Sequence, residues 1–81
     1  MFNKQFYIDK INSEIQHQLD LQKENDEYLS SLPKLSTIPK NTEQYKVLTR
    51  DKMKHFRRRR SIYDKILRLE EELERYRNYD I

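Results

Sequence analysis

The chain has no cysteine, no glycine and no tryptophan, and only two prolines, in 81 residues. Without cysteine there is neither a disulfide framework nor a thiolate metal site to brace a small fold. Glycine enters positive φ more cheaply than any other residue, so its absence removes the usual material of tight hairpins, left-handed helix caps and phosphate-cradling loops. Sheet-rich folds are therefore disfavoured, and helices joined by an open loop are favoured. Apolar residues are also few, 35% against 38% charged. A compact fold of this size buries roughly 60 to 70% of its unfolded surface, so the core is thin. Stability is expected to come partly from association, as a homo-oligomer or as a subunit of a complex.

Long hydrophobic runs are missing as well. Met1 to Lys10 interleaves Asn, Lys, Gln and Asp with its apolar residues, which fits neither a signal peptide nor a membrane span. The expectation is an intracellular protein without a membrane partner, cytoplasmic or, in a eukaryotic cell, nuclear.

What the sequence does contain is helical periodicity. Ile8, Ile11, Ile15 and Leu19 recur at spacings of three and four and share one face of a helix that Asn3 can cap. The strict heptad continues through Gln18, Gln22 and Asn25 to Leu29 and Leu32, an apolar seam with a polar waist. Pro33 and Pro39 interrupt the pattern, each lacking a backbone donor and pushing its predecessor towards extended geometry. Thr42, or Asn41 before it, caps a second helix whose seam reads Tyr45, Leu48, Lys52, His55, Arg59, Ile62, Ile66, Leu69, Leu73 and Tyr76. Ser61 followed by Asp64 resembles a second cap, yet the unbroken heptads favour one continuous helix. The predicted architecture is all-α: a single domain over 1–81, a long helical hairpin with helix one at about 3–31, a Pro-containing loop at about 32–42 and helix two at about 43–79, packed like a coiled coil and oligomeric.

Catalytic inventories are not met. There is no Cys nucleophile, and Ser13, Ser30, Ser31, Ser36 and Ser61 lack a nearby His in a catalytic motif. Asp51 with His55, or His17 with Asp20, supplies two metal ligands on one helical face, short of a site. Glu70, Glu71, Glu72 and Glu74 sit on a helix with Arg68, Arg75 and Arg77 interspersed, as on a solvated face. The chain is read as a non-enzyme with no cofactor and no metal.

Charge distribution carries more. Residues 46–60 hold eight Lys and Arg against Asp51 alone, a balance of +7, while the segments on either side are each at −2. A net charge of +3 thus conceals a strong local field, which attracts polyanions over about 8 Å at physiological salt. Four consecutive arginines, Arg57 to Arg60, wrap most of a helix circumference at about 100° apiece. Arg59 falls on the seam and needs an acid on helix one, with Asp20, Glu24 and Asp26 in range.

The leading expectation is a small nucleic-acid-binding regulatory or accessory protein, with Lys46, Arg50, Lys52, Lys54, Arg57, Arg58 and Arg60 on phosphates and Tyr63 beside them, DNA ahead of RNA. Ile8, Ile11, Ile15, Leu19, Arg59, Ile62, Ile66, Leu69, Leu73 and Tyr76 are assigned to partner-helix packing. The alternative is a coiled-coil interaction subunit, or a small inhibitor, whose basic segment meets an acidic protein surface.

Overall fold

The computed structural model describes residues 3–78. It is all-helical: two α-helices, α1 (Lys4–Ser31) and α2 (Glu43–Arg77), pack against each other in antiparallel fashion, with a single 3-10 turn (Leu35–Thr37) between them. The molecule is a rod of 63 × 16 × 15 Å. The sequence places the end of helix two at Tyr79, which lies outside the described residues.

Local chemistry sets the helix ends. The Asn3 side chain accepts from the Phe6 amide at 3.1 Å, and the Thr42 hydroxyl accepts from the Tyr45 amide at 3.3 Å, so each N-terminus has one orphan donor satisfied by its cap. Glu43 in the first turn of α2 and Arg75 and Arg77 in its last turn suit the helix dipole. At the other end of α1, Leu32 leaves the helix in extended geometry (φ −78°, ψ 146°), the conformation that the following Pro33 imposes. Ile38, just before Pro39, is extended in the same way. No described residue has positive φ, so this glycine-free chain ends its helix without a left-handed cap.

Burial follows the strict heptad. Ile11, Gln18 and Asn25 of α1 are buried against Leu48, Ile62, Ile66 and Leu73 of α2, while Ile8, Ile15, Leu69 and Tyr76 are half-buried at the edges of the seam. Two expected packing residues stand elsewhere. Leu19 is 42% exposed, because a 3.5-residue period makes Gln18 the inward residue after Ile15 and turns Leu19 about 100° onto the flank. Arg59 is also exposed, its guanidinium reaching over the edge of the seam instead of entering it. At the open end of the hairpin, Tyr7 and Tyr76 stack with ring centroids 5.4 Å apart, and Lys4 Nζ donates to the Arg77 carbonyl at 2.9 Å. α2 runs unbroken through Ser61.

Candidate functional site

The basic stretch lies in the middle of α2, where its seam is least apolar. Lys46, Arg50, Lys54, Arg57, Arg58 and Arg60 are exposed, and Lys52 is half-buried. Of the lysines and arginines of this stretch, only Arg59 makes a salt bridge with a described residue, its Nε 3.5 Å from Asp26 Oδ1 on α1. The stretch's one acid is engaged elsewhere. Asp51 accepts the Tyr28 hydroxyl at 2.6 Å through Oδ2, and its Oδ1 lies 3.3 Å from His55 Nδ1. The positive field is therefore left largely uncompensated by the hairpin's own side chains.

Beneath the arginines is a polar cluster that bridges the two helices. The Asn25 amide donates to the His55 carbonyl at 3.0 Å, and the Tyr28 ring stacks on the His55 ring with centroids 4.3 Å apart. His55 Nδ1 also lies 2.9 Å from the Asp51 carbonyl oxygen, so a proton on that nitrogen serves both Asp51 acceptors. Hydrogen bonding to Asp51, then desolvation and the carboxylate's charge, push the Tyr28 hydroxyl above its usual range. Asp51 and His55, read from the sequence as two metal ligands, are here each other's partners. No group of three or more His, Asp or Glu among the described residues is placed to hold a metal ion. His17 and Asp20 are exposed on α1, and Asp20 accepts from the Gln16 amide at 3.1 Å.

A feature the sequence reading passes over stands beside the arginines. Met53, Phe56, Tyr63 and Leu67 are each between 41% and 53% exposed, and their spacing of three, seven and four places them in one stripe along α2. The stripe is displaced by one residue from the buried seam, about 100° round the helix. Arg60 occupies its central position. The stripe borders shallow grooves between the helices, in which Phe56, Arg60 and Tyr63 meet Gln22 of α1 and Phe56 also meets Leu29. Leu19 and Gln22 extend the same side of the hairpin along α1. The signal was present as a second heptad one residue out of phase, obscured by the arginine at its centre.

Among the described residues no helix is long and apolar enough to cross a membrane. No family model, curated protein or solved structure matches the chain.

Proposed function

We propose that the chain is a non-enzymatic helical docking module, an interaction subunit that contributes the outer face of α2 to a larger helical assembly. The observation that carries this reading is the stripe of Met53, Phe56, Tyr63 and Leu67. Scattered apolar residues on a surface need no explanation, but four at heptad spacing on one helix are the pattern by which a helix recognises another. Energetics point the same way. The buried apolar residues among those described are Ile11, Leu48, Ile62, Ile66 and Leu73, each worth about 1.5 to 3 kcal/mol, while fixing each residue's backbone costs roughly 1 to 2 kcal/mol. A hairpin with so small a core gains by covering a second seam.

Site-specific photo-crosslinking in cells tests this reading. A photoreactive phenylalanine analogue in place of Tyr63 is expected to form nuclease-resistant protein adducts that the same group at Glu24, on an exposed polar position of α1, does not form. Equal adducts at the two positions would defeat the proposal.

One observation favours a second reading, nucleic-acid binding: among the described residues, no lysine or arginine of 46–60 other than Arg59 has an ion-pair partner. Lys46, Arg50 and Arg57 project on a common outer face of α2, suited to successive phosphates, where guanidinium geometry favours bidentate contacts. Nuclease-sensitive adducts at Tyr63 would support this reading in place of the first.

A further inference from the structure

We propose that the occupant of the stripe is a second copy of this chain, lying antiparallel along α2 to make a four-helix assembly with a two-fold axis beside Ser61 and Ile62. The inference rests on the docking reading above and names its partner. What selects the second copy is the charge on α2. At one heptad position of the outer face the half before the axis carries Arg50 and Arg57 and the half after it Asp64 and Glu71, all exposed, with Arg68 at the neighbouring heptad position farther towards solvent. Arg57 and Asp64 border one open depression on the helix, on the solvent flank of the stripe.

An antiparallel copy brings the two halves together. In the alignment that sets Phe56 against Leu67 of the second copy, Arg60 meets Tyr63, a cation over an aromatic face, and the reciprocal contacts form across the axis. On the flank, Arg57 then lies opposite Asp64 of the second copy, and Arg50 opposite Glu71. Each pair occurs twice. Met53 faces Glu70 at the outer limits of the stripe, where water reaches both. Arg60 breaks the apolar run at its centre, as one polar residue in a coiled-coil seam fixes alignment at some cost in stability.

Other occupants match less of this surface. A parallel copy sets the basic half of one helix on the basic half of the other. An acidic partner helix suits Arg50 and Arg57 but repels Asp64 and Glu71. The contact length fits as well: Arg50 to Glu71 spans roughly 32 Å at 1.5 Å per residue. Gln22 of α1 borders the same groove as Phe56, Arg60 and Tyr63, and Leu19 lies next to it along α1, so α1 adds to the width of this face.

Sedimentation velocity on nuclease-treated protein, over about a hundredfold range of concentration, tests the assembly. The native chain is expected to pass from monomer to dimer. Arg57→Glu alone and Asp64→Arg alone should each weaken dimerisation about tenfold or more, because each places like charges together twice. The double variant Arg57→Glu with Asp64→Arg should recover it. These exposed side chains make no salt bridge with any described residue, and circular dichroism checks that the variants stay helical.

A second measurement does not depend on charge. Because the chain lacks cysteine, Phe56→Cys and Leu67→Cys proteins can be mixed and oxidised, and the mixed disulfide is expected to form faster than either homodimer. A protein monomeric throughout, a dimer indifferent to both charge reversals, or mixed and homodimeric disulfides forming equally fast would each overturn the proposal. A monomer whose Tyr63 adducts contain a different protein would remove the second copy and leave the docking reading standing, whereas absence of Tyr63-specific adducts removes both.

Discussion

Asn25 is buried between the helices with its amide donating to the His55 carbonyl at 3.0 Å, while its own Oδ1 has no hydrogen-bond partner among the described residues. An unsatisfied buried acceptor costs on the order of 1 to 3 kcal/mol. The residue therefore weakens the hairpin where an aliphatic side chain would strengthen it. What it provides in return is alignment: the bond to His55 forms at one relative position of α1 and α2. Replacing Asn25 by Leu is expected to raise the melting temperature while broadening the NMR spectrum, as sliding one turn along the other helix becomes permissible. A lower melting temperature would mean that the hydrogen bond outweighs the orphaned oxygen.

Leu69 and Leu73 test the apolar half of the same seam. Leu73 is buried, and Leu69 half-buried at the groove's edge. Leu73→Ala should cost about 2 to 5 kcal/mol, and Leu69→Ala distinctly less, because a partly exposed site leaves no closed cavity. Chemical denaturation at fixed protein concentration measures both. Equal losses would place Leu69 as deep as Leu73.

How far these positions are legible in the sequence depends on how local their causes are. Asn3 and Thr42 announce helix starts because capping needs only a side-chain oxygen and amides three residues on. Pro33 and Pro39 mark the connection because they constrain their immediate neighbours. Gln18, Gln22 and Asn25 follow from continuing the heptad across polar residues, whereas extending the aliphatic series to Leu19 leaves the seam. The bond from Asn25 to His55 and the one from Tyr28 to Asp51 join residues 30 and 23 positions apart; they depend on the alignment of two helices, which periodicity alone does not determine. Arg59 shows both sides of this. Its need for an acid is legible, and Asp26 is among the acids in range, but its escape from the seam depends on the length and flexibility of its side chain.

The Tyr28–Asp51 hydrogen bond gives the hairpin an alkaline limit. The hydroxyl donates only while protonated, and its pKa is raised above 10.0 because Asp51 accepts that proton and repels the phenolate. The folded state thus holds the proton more tightly than the unfolded chain. The resulting stabilisation is fully present below about pH 10 and is lost as pH rises through the folded-state value. Subtracting the ultraviolet titration of Tyr28→Phe from that of the native protein should leave one tyrosinate step with a midpoint above 10. A step at or below 10 would show that the contact is not maintained in solution.

Arg58 separates the two readings of the basic stretch. It lies two residues beyond Phe56, about 200° round the helix, on the side of α2 away from the stripe. Arg58→Gln should therefore leave self-association unchanged. If the stretch grips duplex DNA, the same variant should weaken binding to unrelated sequences alike and flatten the slope of log affinity against log salt by about 0.9, since each lost phosphate contact releases one condensed counterion fewer. Arg57→Gln and Arg60→Gln should flatten the slope similarly while also weakening the dimer. Arg59→Gln should leave the slope unchanged and cost at most about 1 kcal/mol, because its pair with Asp26 is exposed to solvent. Titrations at several salt concentrations, read beside sedimentation of the same proteins, distinguish these outcomes. A native protein that binds neither duplex DNA nor RNA at low ionic strength would assign the arginines to protein contacts alone.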